Sequence, residues 1–174
     1  MATVILSGPR VTLRSGTPED VARLEPIRNE PEVVRWWSEP EPGELEGFVA
    51  DDKTLVVEVD GVVVGAIQYG EEDDPMYRHA SIDVYLTPAL HGQGIGSEAV
   101  RVLAGHLIRD RVHHRLTIDP AVANRAAIRS YGKVGFRPVG VMRSYERGPD
   151  GTWHDGLLME MLADELTDAG EGEP

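Results

Sequence analysis

His91-Gly92-Gln93-Gly94-Ile95-Gly96 stands between a strand-like run, Ser81-Ile82-Asp83-Val84-Tyr85-Leu86, and a segment in which Ile95, Ala99, Val100, Leu103 and Leu107 share one helical face. A glycine-rich turn at a helix start leaves the N–H groups of residues 92–97 without helical partners, and the helix dipole adds partial positive charge there. Such a turn suits a phosphate. The spacing is Gly-x-Gly-x-Gly. It is not a P-loop, because Ser97-Glu98 follows Gly96, and not the dinucleotide fingerprint, which needs a glycine where Ser97 stands. The plainer alternative is a tight strand-to-helix connection with no ligand.

Near the N-terminus, Arg10–Arg14 alternates as a strand, and Thr17-Pro18-Glu19-Asp20 reads as a helix start with Thr17 as N-cap. Pro26 is expected to kink or end that helix, and short helices are expected over 31–37 and 44–50. Thr54–Val59 and Val62–Tyr69 are β-branched runs joined by Asp60-Gly61, a hairpin signal. Gly70 to Arg78, with four consecutive acids, is expected to be a loop. A strand at Ala80–Leu86 leads through the glycine turn into a helix to about Asp110. His114–Ile118 is a short strand, Ala123–Val134 a helix, and Phe136–Tyr145 with Trp153–Met161 a final hairpin. His106 falls on the apolar face of its helix and is expected to be a hydrogen-bonded interior histidine. The order implies an α+β domain: a mostly antiparallel mixed sheet with one parallel pair and helices on both faces.

The chain has 174 residues, 41% of them apolar, which fits one domain, expected over residues 1–163 with an acidic, disordered tail over 164–174. No apolar run is long enough to span a membrane, and Met1–Arg14 does not read as a secretory signal, so a cytoplasmic protein is expected. The absence of cysteine excludes disulfides, thiolate metal sites and a cysteine nucleophile. Histidines and carboxylates show no ligand spacing for a metal. The net charge of −13 is uneven. Residues 30–74 hold fourteen acids against Arg35 and Lys53, a net of −12, whereas residues 91–147 hold ten bases against four acids, a net of +6. One half should attract cations and the other anions, unless the charges only solvate the surface. Nucleic acid is a poor partner for so acidic a chain.

Asn124 and Tyr131 are seven residues apart, two helical turns, and so point the same way. Arg125, Arg129 and Lys133 form a separate basic stripe. With Gly135-Phe136 these residues complete a pattern that resembles the GNAT superfamily of acetyl-CoA-dependent N-acetyltransferases: Gln/Arg-x-x-Gly-x-Gly/Ala at a helix start, then Asn…Tyr-x-x-x-Gly-Phe. His91 departs from the first position of that signature. The resemblance runs from about Arg10 to Leu162. It is nearest to the aminoglycoside 6′-N-acetyltransferases, through Trp36-Trp37, Ile82-Asp83-x-x-Leu86 and Asp119-Pro120…Asn124-Arg125-Ala126.

The resemblance implies a GNAT-like fold with acetyl-CoA between two splayed parallel strands. It implies cofactor contacts from Val84, Tyr85 and Leu86, from His91, Gly92, Gln93, Gly94, Ile95, Gly96 and Ser97, and from Asn124 and Arg129. Asp83 would orient the acceptor amine and take its proton, and Tyr131 would protonate the leaving thiolate. Trp36, Trp37, Asp83, Asp119 and Asp155 would contact a small cationic amine, drawn in by the acidic loops 39–52 and 71–74. The open alternatives are a structural carboxylate at Asp83, an ordinary half-buried tyrosine at Tyr131 and core packing for the tryptophans. For function they are acetylation of a protein N-terminus or another small amine, or a non-catalytic acetyl-CoA-binding module. A monomer or homodimer is expected.

Overall fold

The computed structural model describes residues 3–168. Among these, eight strands form one sheet in the order β1-β2-β3-β4-β5-β6-β8-β7. They are β1 (Ile5–Ser7), β2 (Val11–Ser15), β3 (Thr54–Val59), β4 (Val62–Glu72), β5 (His79–Leu86), β6 (Arg115–Ile118), β7 (Arg137–Arg147) and β8 (Trp153–Leu162). All neighbours are antiparallel except β5 and β6, the one parallel pair. The helices are α1 (Val21–Arg28), α2 (Pro31–Trp37), α3 (Glu44–Ala50), α4 (Ile95–Arg109) and α5 (Arg125–Val134). No helix among the described residues is long and apolar enough to cross a membrane.

Both faces of the sheet are covered, and the strand period shows how. Along β3, Leu55 and Val57 join the core under α4 and α5, while Val56 joins the core under α1–α3. The first core takes Ile95, Ala99, Val100, Leu103 and Leu107, the stripe read from the sequence, all buried. The second takes Leu24, Ile27, Val33 and Leu45. The β3–β4 hairpin turns at Asp60 (φ 51°) and Gly61 (φ 73°), the paired left-handed conformation that Asp-Gly favours.

The structure adds one strand and corrects two expectations. A short β1 precedes β2 and pairs with it. The acidic stretch after Tyr69 is not all loop: β4 runs on through Glu71 and Glu72, paired with Ala80 and His79. The reason is charge compensation, because the Glu71 carboxylate meets Arg111 Nη2 at 2.8 Å, His113 Nε2 at 2.8 Å and Lys53 Nζ at 3.1 Å. The start of the expected tail is docked. Ala163–Glu165 form a short 3-10 turn, the Thr167 N–H donates to Val134 O, and Arg101 donates to Thr167 O. The remainder, residues 169–174, lies outside the described residues.

Pro26 does not end α1, which continues to Arg28. His106 is half-buried, its Nδ1 at 2.7 Å from Asp110 Oδ2 on the next turn.

Candidate active site

The site begins where the parallel pair fails. β5 and β6 are joined only at Ala80↔Leu116 and Ser81↔Thr117, although β5 continues to Leu86 and β6 to Ile118. On its other side β5 stays paired with β4 as far as Gly65↔Leu86. Residues 82–86 thus keep one backbone edge bonded and offer the other to a ligand. Gly65 is needed for that closeness: a Cβ there would lie 2.1 Å from Tyr85 O and 2.8 Å from Leu86 Cα.

The glycine turn closes one end of the gap. Gly92 (φ 77°) and Gly94 (φ 79°) adopt the left-handed conformation, and Gly94 is the N-cap of α4. The first helical bond runs from Glu98 N to Gly94 O, and the N–H groups of 92–97 have no acceptor among the described residues. The turn is braced from behind by Arg10 on the approach to β2. Its Nη1 donates to Gln93 O at 2.9 Å and its Nε to Glu98 at 2.9 Å. The buried Glu98 carboxylate also accepts the N–H groups of Arg10 and Val11. Neither residue stood out in the sequence, since an arginine and a glutamate 88 positions apart carry no local pattern.

His91 is exposed, with Nε2 at 3.2 Å from Leu86 O, so its side chain braces the end of β5. The Ser97 hydroxyl is turned to Ser130 on α5 at 2.7 Å, leaving only its backbone N–H for a ligand. Ile95 is buried in the core and likewise offers only backbone. Gln93 Nε2 donates to Ala89 O. Asn124 is the N-cap of α5: its Oδ1 accepts from Ala127 N at 3.2 Å, so Nδ2 is the group left to donate. Arg129 is exposed on the basic stripe.

A cleft of about 320 Å³ opens beside the gap, lined by Asp83 and Val84 from β5, Asp119 after β6, Asn124 and Tyr131 of α5, and Trp36 and Trp37 of α2. Asp83 faces the cleft and pairs across the sheet with Gln68, whose Nε2 lies 3.4 Å from Oδ2. Burial, and then the neighbouring Asp119 charge, push its carboxyl above the ordinary carboxylate range. Burial also pushes the Tyr131 phenol up, reinforced by Asp83 and Asp119, so it stays protonated at neutral pH. Asp119 accepts a 2.5 Å hydrogen bond from the Tyr145 hydroxyl.

Tyr85 contributes backbone only. Its ring is buried under α2, 5.1 Å from the Trp37 ring and edge-on to it. Trp37 therefore serves both the core and the cleft wall. The wall is fixed by Arg28, fully buried, which donates to Ser38 O at 2.7 Å, Trp37 O at 3.1 Å and Glu44 at 2.7 Å. Trp36 stands in the wall under the Arg35 guanidinium.

Two expectations about the acceptor side are not met by the geometry. The acidic loops 39–52 and 71–74 supply no lining residue. Asp155 lies outside the cleft, with its Oδ1 accepting from Ser144 N at 2.8 Å. The carboxylate that does line the cleft beside Asp83 and Asp119 is Glu146 of β7, which the sequence reading missed. It sits in a hairpin with no recognisable motif.

Comparison with known proteins agrees with this geometry. Residues 21–136 match the model of the acetyltransferase (GNAT) family. The chain is 30% identical over 168 residues to an aminoglycoside N(6′)-acetyltransferase type 1 of Klebsiella pneumoniae, covering 83% of this chain and 81% of that protein. It is 38% identical over 82 residues to a kanamycin resistance protein of Rhizobium radiobacter, covering 47% of this chain and 70% of that one. Among solved structures, Mycobacterium smegmatis RimJ in complex with CoA-disulfide superposes with a TM-score of 0.80 at 26% identity, covering 96% of this chain and 90% of that one. An open β5 edge, a bare glycine turn and a donor from α5 are what an extended thioester with a diphosphate requires. This chain belongs to the acetyltransferase (GNAT) family of acetyl-CoA-dependent N-acetyltransferases.

Proposed function

We propose that the acceptor is a small, multiply charged amine, the 6′-amine of an aminoglycoside, acetylated by direct attack on the thioester of acetyl-CoA. The observation that carries this reading is the convergence of Asp83, Asp119 and Glu146 with Tyr131 on one cleft walled by tryptophan. Three carboxylates in one cleft repel each other and are relieved by a polycation. Trp36 and Trp37 offer flat apolar surface to a sugar ring. The similarity to an aminoglycoside N(6′)-acetyltransferase and to a kanamycin resistance protein supports the same acceptor class.

The residues divide the chemistry as follows. Bare amides from Gly92 to Ser97 hold the diphosphate, and the Asn124 amide and the open edge of Val84–Leu86 hold the pantetheine arm. An amide of that edge polarises the thioester carbonyl. Asp83 receives a proton from the incoming ammonium, directly or through water. As the new N–C bond forms and the C–S bond breaks, Tyr131 passes its proton to the departing sulfur, and the proton left in excess on the acylated nitrogen restores the phenol directly or through water. The absence of cysteine is consistent with direct transfer rather than a cysteine-bound acyl intermediate. Most of the acceleration comes from holding the two reactants together.

The test is thiol release from acetyl-CoA with kanamycin A, spermidine and a basic peptide as acceptors, followed by mass spectrometry and NMR of the product. Turnover of kanamycin A with the acetyl group at the 6′ position is expected. Preference for the peptide would refute the acceptor class.

A further inference from the structure

β7 and β8 are not in simple register. Met142 pairs with Gly156 and Glu146 with His154, so Arg143, Ser144 and Tyr145 together oppose Asp155 alone. The extra residues form an arch. Ser144 at its crest has φ 48°, a conformation a non-glycine residue adopts only when its surroundings hold it there. What holds it is Asp155, whose carboxylate accepts the Ser144 N–H at 2.8 Å.

The arch has a consequence for the cleft. In a regular strand Tyr145 and Glu146 would point to opposite faces. Here Tyr145 reaches Asp119 through its hydroxyl, while Glu146 lines the cleft beside the same Asp119. Bulges commonly re-aim side chains next to active sites. The three carboxylates are not equivalent. Asp83 is met by Gln68, and Asp119 by Tyr145. Glu146 is half-buried and has no hydrogen-bond or ion-pair partner among the described residues. Of the nearby cations, His154 is held by Asp150, and Arg147, which also lines the cleft, donates its Nε to Gly151 O without reaching Glu146 within ion-pair distance.

We infer that Glu146 is a specificity-determining residue that binds a second ammonium group of the acceptor, and that Asp155 positions it by pinning the arch. The inference rests on the acceptor reading above and sharpens it: the acceptor carries at least two cationic groups, one at Asp83 for reaction and one at Glu146 for recognition. Removing the second group from the acceptor, or the carboxylate from the enzyme, should cost the same interaction.

The experiment measures KM and kcat at saturating acetyl-CoA for kanamycin A, 1,4-diaminobutane and n-butylamine, the last two differing by one ammonium. Glu146→Gln is expected to raise KM for kanamycin A and the diamine about tenfold, the loss of one partly desolvated charge pair, while kcat moves less than twofold. For n-butylamine KM should change less than twofold. Glu146→Asp should recover part of the loss. Asp155→Ala should reproduce the pattern at smaller amplitude. An equal KM rise for n-butylamine, a fall in kcat for all three acceptors, or no change for the polycations would overturn the inference. Wild-type protein that acetylates the diamine but not kanamycin A would remove the aminoglycoside reading and leave Glu146 in place. Wild type inert toward both polycations would overturn both.

Discussion

Glu71→Gln tests the support of the site at its closed end. Glu71 sits on β4 opposite Ala80, the residue at which β5 pairs with β6, and its side chain is 2% exposed. It gathers Arg111 and His113 from the connection into β6 and Lys53 from the start of β3, fastening β6 beside β5 just before the two diverge. Hydrogen bonds from Arg111, then from His113 and Lys53, outweigh the effect of burial and lower the carboxyl from about 4.5 to about 2. That difference corresponds to roughly 3 kcal/mol. Arg111 and Lys53 are 47% and 37% exposed, so solvent screening reduces the contribution to about 2 kcal/mol. Because the group titrates lower in the folded chain, its stabilisation is complete above about 4.5 and disappears as pH falls through about 2. Thermal melts by circular dichroism at pH 7 should place Glu71→Gln about 4–8 °C below wild type. The gap should narrow steadily once the pH drops below 4.5. A loss at pH 7 below about 0.5 kcal/mol, or a gap that stays constant down to pH 3, would mean that the Glu71 carboxylate does not fasten β6 beside β5.

Tyr131→Phe keeps the packing of the ring against Phe136 and removes the acid; kcat should fall about 100-fold or more while calorimetry shows coenzyme A binding within twofold of wild type. Unchanged turnover would eliminate the phenol as proton donor. Arg10→Ala removes the brace on Gln93 O and leaves Glu98 without its cation; KM for acetyl-CoA should rise several-fold, with KM for the acceptor unmoved. An effect confined to the acceptor would contradict that assignment. Asp83 carries a carboxyl raised by burial and by Asp119, so the acid limb of kcat/KM should lie above the ordinary carboxylate range. A bound polycation offsets the Asp119 charge, so the corresponding limb of kcat should lie at lower pH. Coincident limbs in the two profiles would show that the carboxylates do not neutralise the acceptor.

Local rules made much of the fold legible. The Asp60-Gly61 hairpin, the apolar stripe of α4 and the two-turn spacing of Asn124 and Tyr131 are patterns within a few residues of each other. The glycine turn was readable for the same reason. What escaped depends on partners distant in sequence. Glu71 and Glu72 read as loop because four acids in a row deny a strand, until Arg111 and His113 arrive from forty residues away to neutralise the first. Arg10 and Glu98 joined the site only when β2 and α4 were set side by side. The hairpin gave the least warning: an arch that needs positive φ carries serine rather than glycine at its crest, so nothing in the sequence marks it. Asp155 was noticed for its charge and is found bonded to the Ser144 N–H of that arch, while Glu146, two residues on, carried no signal.

The sheet departs from regular pairing on both sides of the cleft. β5 and β6 part company after two residue pairs, and β7 bows away from β8 by two extra residues before rejoining it at Glu146↔His154. Each departure leaves polar backbone or strained dihedrals that a sheet ordinarily avoids, and each is secured by a carboxylate outside the cleft: Glu71 behind the diverging strands, Asp155 beneath the arch. The other departures are smaller, a bulge at Val57/Glu58 between β3 and β4 and one extra residue, Val139, in β7, while β2–β3, β4–β5 and β6–β8 pair without a shift. Two departures beside one cleft, each with a dedicated residue maintaining it, fit a fold that gives up its own best packing there for the sake of a ligand. The first departure leaves an open backbone edge, suited to an extended thioester. The second sets Glu146 in the cleft with Asp83 and Asp119, the carboxylate proposed above to bind a second ammonium. Donor and acceptor side by side in that cleft would meet the condition for the direct transfer proposed above.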